Sequence, residues 1–196
     1  TIQGMYVTDV VENDATFQRL ELIPFQTSKD IGRPELPMIS QVIGIPGNKL
    51  VNVEILEMES QKLDNYVVYP FQTPTTDNPG GFDHEFVMDK QFYSQSKNYP
   101  GRQVYIDGTG IWRDVKVASL HVIPFNYNAV DKELDVVTNI RVEVTFYGSD
   151  LTMTMTRPQA VSPVFYKMYE SKIANFSSLG YTKSFLNNDD IKYLII

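Results

Sequence analysis

Residues 140–146 read Ile-Arg-Val-Glu-Val-Thr-Phe, with apolar Ile140, Val142, Val144 and Phe146 set between polar Arg141, Glu143 and Thr145. A strand sends successive side chains to opposite faces, so this period of two predicts a half-buried antiparallel strand. Val51, Val53 and Ile55 alternate with Asn52, Glu54 and Leu56 in the same sense. Val115 and Val117 flank Lys116, which puts the lysine on the water side. Phe17, Leu20, Leu22 and Ile23 suggest a further strand near 17–25, although their period is ambiguous.

Turn chemistry divides these runs. Gly32-Arg33-Pro34-Glu35-Leu36-Pro37, Pro46-Gly47-Asn48, Asn78-Pro79-Gly80-Gly81, Tyr99-Pro100-Gly101 and Asp107-Gly108-Thr109-Gly110 all read as turns or loops. The stretch 126–132 reads as a hairpin turn between a strand ending near Phe125 and one starting near Glu133. Short strands at such intervals predict a sandwich or barrel. One helix interrupts the pattern. Ser162-Pro163 is an N-cap followed by proline at the first helical position, and Phe165, Tyr169, Ile173 and Phe176 recur along one helical face. Gly180 is placed to end it or to lie just past it. The final Tyr193-Leu194-Ile195-Ile196 is apolar without alternation, as in strands buried on both faces.

The expected architecture is all-β: an antiparallel β-sandwich of jelly-roll or immunoglobulin-like kind, with one C-terminal helix and a terminal strand stub. Its expected division is a sandwich over 1–160, a helical segment over 161–180, a linker over 181–192 and, over 193–196, the first strand of a following domain.

Composition narrows the functions. Across 196 residues, 42% are hydrophobic and 21% charged, which fits a folded chain. The net charge of -7 and the lack of any Lys/Arg run argue against nucleic acid as a partner. With no cysteine, a thiol nucleophile, disulfides and Cys-ligated metals are excluded. No apolar run is long enough for a membrane-spanning helix. The chain opens at Thr1 without methionine, and the expectation is export through a signal peptide absent from this chain.

Candidate chemistry is sparse. His84 lies in Phe82-Asp83-His84-Glu85 and reads as a solvated loop residue; His121 reads as an outward or hydrogen-bonded strand residue. There is no G-x-S-x-G elbow and no phosphate-binding glycine loop. Asp77, Asp83, Glu85 and Asp89 could offer oxygens to calcium, a weak signal beside the reading of a solvated acidic loop. No cofactor is expected. Trp112, the single tryptophan, lies at the start of a strand beside Arg113 and Asp114. Exposed, it would suit carbohydrate or peptide stacking, but a packed tryptophan is the commoner case.

Several segments, in order, resemble the propeptide domain that precedes gingipain-type cysteine peptidases. They are Gly32-x-Pro34-x-Leu36-Pro37 leading to Ile45-Pro46; Tyr69-Pro70; Tyr99-Pro100-Gly101; Trp112-Arg113-Asp114-Val115; Ile123-Pro124-Phe125-Asn126-Tyr127-Asn128; Lys132-x-Leu134; and the strand 140–146. The resemblance covers about 17–147 and continues more loosely through the helix to 193–196, which is similar to the opening strand of the catalytic domain. It implies a non-catalytic domain that assists folding of a secreted or cell-surface cysteine peptidase and keeps it latent. The implied partner is the cognate catalytic domain C-terminal to this chain. It further implies an inhibitory loop at about 71–85, in which relatives insert a basic side chain into the specificity pocket. That segment has no Arg or Lys here; Thr75, Thr76, Asp77 and Asn78 occupy its centre, with Asp77 nearest the basic position. Lys183 is the expected processing residue, ahead of Lys172 and Lys192. A stand-alone adhesion or carbohydrate-binding module of an exported protein is the alternative, and a hydrolase with a diffuse site the third reading.

Overall fold

The computed structural model describes residues 4–22, 26–74, 85–152 and 160–184. The strand expected near 17–25 is found as β2 (Ala15–Leu22), in a hairpin with a strand the patterning did not single out, β1 (Met5–Glu12); they pair antiparallel, Val7 opposite Leu20. Asn13 and Asp14 between them both take positive φ, the conformation of the tight turn whose twist matches its strands. β2 buries Phe17, Leu20 and Leu22, and β1 leaves Tyr6, Val7 and Val11 exposed. With apolar side chains on both faces, β1 has no alternation to reveal it.

The remaining strands are β3 (Gln26–Thr27), β4 (Pro37–Gly44), β5 (Leu50–Leu63), β6 (Asn98–Tyr99), β7 (Val104–Trp112), β8 (Val115–Val122), β9 (Phe125–Asn128), β10 (Glu133–Tyr147), β11 (Ala160–Val161) and β12 (Thr182–Lys183). They form four-stranded sheets of order β5-β10-β9-β6 and β3-β4-β8-β7, and a parallel pair β11-β12. Two helices accompany them, the single turn α1 (Lys90–Tyr93) and α2 (Pro163–Lys172). The fold is mostly antiparallel β, as the patterning predicts.

Contacts divide the chain into two compact units, and the dividing line falls within β4, β5, β7, β8 and β10. The first unit comprises Thr1–Ser40, Val53–Tyr105 and His121–Glu143. Its core draws on both four-stranded sheets: Met38 of β4 joins Phe125, Tyr127, Leu134 and Val136 of β9 and β10, together with Leu20, Leu36, Val68 and Phe92. Tyr127 is wholly buried, yet its hydroxyl is satisfied. It donates to the Tyr66 carbonyl at 3.2 Å and accepts from the Val68 N–H at 3.3 Å. Burial pushes its pKa up to about 12.

The second unit comprises Gln41–Asn52, Ile106–Leu120 and Val144–Ile196. The expected helix is found with its expected start, but it ends at Lys172, so Ile173 and Phe176 lie beyond it and Gly180 closes a separate 3-10 turn. The Ser162 hydroxyl accepts from the Phe165 N–H, Pro163 opens α2, and Gly180 lies in the left-handed region at φ +77°. Tyr169 of α2 is buried in one cluster with Ile173, Phe176, Val115 and Val161. Helical turns stop at Lys172 because Ile173 takes extended backbone and bridges to Val42, while the Ala174 N–H donates to the Val42 carbonyl. A 3-10 turn, Phe176–Leu179, follows.

Four expectations need correction. Lys116 does not face water: its side chain is 1% exposed, and its ammonium donates to Asp150 Oδ2 at 2.7 Å and to the Lys49 carbonyl at 2.9 Å. An ammonium with two oxygen partners can be buried where a bare one cannot. The stretch 107–110 is no turn but the middle of β7, where Gly108 at φ +67° supplies a bend only glycine takes cheaply. Trp112 ends β7, and β8 follows after Arg113 (φ +55°) and Asp114. Finally, β5 is not half-buried along its length: Glu54–Lys62 is exposed on both faces, including Ile55, Leu56 and Met58. β5 ends its sheet and so has β10 on one side only.

Candidate functional site

The residues 75–78, expected to form the centre of an inhibitory loop, lie outside the described residues, as do His84, Asp83 and the terminal run 193–196. Residues on both sides of this stretch are described, and hydrogen bonds join them to 32–35 and to each other.

On the incoming side, residues 69–71 run alongside 33–35. Glu35 N–H donates to the Tyr69 carbonyl, Phe71 N–H to the Arg33 carbonyl and Gly32 N–H to the Phe71 carbonyl, each at 2.8 Å. On the outgoing side, the Asp89 N–H donates to the Gly32 carbonyl at 3.0 Å. Gly32 permits this approach. Its φ is +76°, and a Cβ there would stand 3.1 Å from Asp89 N and 3.3 Å from Val87 Cγ1. Asp89 then starts α1 by accepting from the Phe92 N–H at 2.9 Å, and it pairs with Arg33 Nε at 2.9 Å. The Arg33 guanidinium lies over the Phe92 ring, 4.7 Å from its centre.

Gln72 joins the two sides. Its Oε1 accepts from the Val87 N–H at 2.8 Å. Its Nε2 donates to the Val87 carbonyl at 2.8 Å and to the Pro70 carbonyl at 2.9 Å. A carboxamide carries a donor and an acceptor side by side, so it can answer both backbone groups of one residue as a neighbouring strand would. Phe86, one residue earlier, packs on Phe17 and Tyr69 with ring centres 5.6 and 5.9 Å away. Below them Arg19 lies over Tyr69 at 4.3 Å and pairs with Glu35 at 3.4 Å. Burial pushes the Glu35 carboxyl up from its ordinary value, against the pull of the Arg19 charge.

The other candidates disperse. Of the four possible calcium ligands, Asp77 and Asp83 lie outside the described residues, Glu85 is exposed and Asp89 is committed to Arg33 and α1. Among the described residues, no three His, Asp or Glu side chains converge as a metal site would require. His121 Nδ1 stands 2.8 Å from Ser40 Oγ, and its ring lies against Tyr105. Trp112 is half-buried, edge-on to Tyr169 at 5.8 Å. A cleft of about 260 Å³ in the first unit is lined by Ile39, Val122, Pro124 and residues 137–140, with no titratable side chain. Lys183 was expected in a linker; it lies in β12, exposed, with its ammonium 4.7 Å from the centre of the Tyr166 ring. Among the described residues, no helix is long and apolar enough to cross a membrane.

Sequence reasoning did not bring Gln72, Val87, Arg33 and Asp89 together. Asp89 carried a detectable signal, an N-cap residue ahead of Phe92. Gln72 carried none, because its partner stands 15 residues away and nothing periodic links them.

Known proteins resolve the chain's kinship. The Propeptide_C25 family model matches residues 2–184. Lys-gingipain of Porphyromonas gingivalis is 26% identical over 171 residues, covering 84% of this chain and 10% of the relative. Gingipain R1 of the same species is 29% identical over 151 residues, covering 77% of this chain and 15% of the relative. The chain thus spans only a small part of the length of the curated relatives it matches. The complex of P. gingivalis RgpB pro- and mature domains aligns with a TM-score of 0.72 at 22% identity, over 89% of this chain and 87% of that one. A structure concerned with the zymogenic latency of gingipain K, also from P. gingivalis, aligns with a TM-score of 0.64 at 23% identity, over 74% and 82%. With the family's pattern running from residue 2 to 184 and the fold of solved gingipain structures beneath it, this β-rich chain belongs to the Propeptide_C25 family.

Proposed function

We propose that this chain is the N-terminal prodomain of a gingipain-type cysteine peptidase, which assists folding of the catalytic domain and holds it latent by covering its active site. The observation that carries this reading is the family match over 2–184, joined to a fold shared with a prodomain solved together with its mature domain. The chain is the binding partner in this reading, not the catalyst, and uses no cofactor. A tethered inhibitor acts at high effective concentration, so modest intrinsic affinity suffices for latency until the tether is cut. The precursor is exported, to the cell surface or beyond, through a signal peptide outside this chain. Trp112, which a carbohydrate-binding module would present to solvent, is packed against Tyr169 instead, which disfavours that alternative.

Within this reading the occluding segment is the loop around Thr75, Thr76, Asp77 and Asn78. With no Arg or Lys in that loop, the acidic Asp77 takes the place of a basic plug. Lys183 is the processing residue. Because Thr182–Lys183 pairs with Ala160–Val161, cleavage there requires β12 to detach first. The test is to titrate the purified chain into the catalytic domain encoded beside it. Stoichiometric inhibition that vanishes when the chain is degraded is expected, and an unaffected peptidase overturns the reading. Asp77→Ala should weaken inhibition; an unchanged inhibition constant removes Asp77 from the role.

A further inference from the structure

We propose that the outer edge of β5, over residues 55–62, is a docking surface for the catalytic domain, which adds an apolar and basic strand to it. This rests on the reading above that the chain binds that domain.

β5 ends the sheet of order β5-β10-β9-β6, so among the described residues no strand lies on its outer side. On its inner side Lys62 pairs with Glu133 and Glu57 with Arg141, so β5 and β10 run antiparallel. In such a pair alternate residues turn their N–H and C=O groups outward, and an edge offers those groups to a further strand. Proteins blunt such edges with short strands, prolines or bulges. The far edge of this sheet is blunted: β6 is two residues long and Pro100 follows it. β5 runs for 14 residues and contains neither proline nor glycine.

What this edge carries selects its occupant. Ile55, Leu56 and Met58 are 40%, 48% and 45% exposed. Successive side chains of a strand take opposite faces, which puts Ile55 on one and Leu56 and Met58 on the other. An added strand covers side chains on both faces at once, whereas a partner resting on one face leaves the other bare. Charge sets the sign. Over 55–62 and 133–143 the cations are Lys62 and Arg141, and Glu133 and Glu57 of the same two strands take both. Glu59, Asp135 and Glu143 leave the surface acidic. A second copy of the chain would bring the same acidic strand to it, and like charges facing one another across strands are unfavourable. A strand of the catalytic domain with Lys or Arg between apolar residues meets both requirements, and such complementarity speeds and orients docking.

The experiment adds the catalytic domain encoded beside this chain and follows hydrogen exchange of the 55–62 amides, the inhibition constant and Tm. Exchange over 55–62 in the wild-type chain is expected to slow about tenfold or more on binding. The inhibition constant should rise with salt as the charges are screened. Leu56→Lys combined with Met58→Lys sets two cations against a basic strand. It should raise the inhibition constant about tenfold or more, while Tm falls by no more than about 4 °C because both positions are exposed. Glu59→Lys should weaken inhibition and flatten its salt dependence. Unslowed exchange over 55–62 in the inhibited complex overturns the proposal, and so does a wild-type inhibition constant in the double variant. So does a chain that sediments alone as a dimer through this edge while the double variant, monomeric, still inhibits. Exchange in the wild-type chain needs no substitution, so it decides the docking even if a variant fails to fold. A chain whose 55–62 amides slow while the peptidase stays active overturns the latency reading alone; one that does neither overturns both.

Discussion

Lys116 stands between two valines whose alternation points it at water, yet it is the one charged side chain buried among the described residues. Its ammonium ties β8 to two turns, through the Lys49 carbonyl and the Asp150 carboxylate. Asp150 is held by Lys116 first and then by the Thr152 hydroxyl and N–H, which lower its pKa from 3.8 to about 2. A carboxyl whose folded pKa is depressed adds stability that is full above its unfolded value and is lost as pH falls through the folded one. Urea midpoints should therefore drop between pH 3.8 and about 2. In Lys116→Met that acid step should shrink; a step of wild-type size would remove Lys116 as its cause. Gly44 makes a second prediction at this scale. A Cβ there would overlap Leu179 Cδ1 and stand 3.2 Å from Ile173 Cγ2. Gly44→Ala should cost about 1–3 kcal/mol by overpacking, read as a lower denaturant midpoint at unchanged slope.

Elements in this chain end where side chains intervene. α2 stops because Ile173 turns to bridge Val42, and Asn175 then answers both backbone groups of Gly44. Asn175 Oδ1 accepts from the Gly44 N–H at 2.7 Å, and Nδ2 donates to its carbonyl at 2.8 Å. This is the device Gln72 uses at Val87, here joining the tail of a helix to the end of a strand. Asn175→Ala should destabilise by about 1–3 kcal/mol, since it leaves two backbone groups without their partner. Circular dichroism melts would check it, and a change under about 0.5 kcal/mol would mean that water replaces the amide. β7 gives the opposite case: a glycine pair that reads as a turn is absorbed into a continuous strand by the neighbouring β8.

At the scale of the whole molecule, stability is divided among separate apolar clusters. One gathers Leu20, Leu36, Val68, Phe125, Tyr127 and Leu134, and another packs α2 on Val115 and Val161. Leu20 and Ile173 are 0% and 1% exposed, one in each unit. Leu20→Ala and Ile173→Ala should each cost about 2–5 kcal/mol, the range for emptying a core site. Urea midpoints at unchanged slope would check both, and a loss under about 1 kcal/mol would mean that neighbouring side chains refill the site.

The amino-acid sequence by itself determined the β-rich class, the capped helix from Pro163, the paucity of catalytic groups and the kinship with gingipain propeptides. These follow from local signals: a period of two, a Ser-Pro cap, an αL glycine, missing cysteines, and ordered short motifs. Only the tertiary structure decided that Lys116 is buried, that residues 54–62 of β5 are exposed on both faces, that 107–110 is a strand and that Gln72 bonds both backbone groups of Val87. Each of those depends on which backbone lies beside a residue in space. A lysine is buried or solvated according to whether carbonyls and a carboxylate from distant turns arrive at its end, and a strand is covered or bare according to its place in the sheet. No periodicity along the chain encodes that placement.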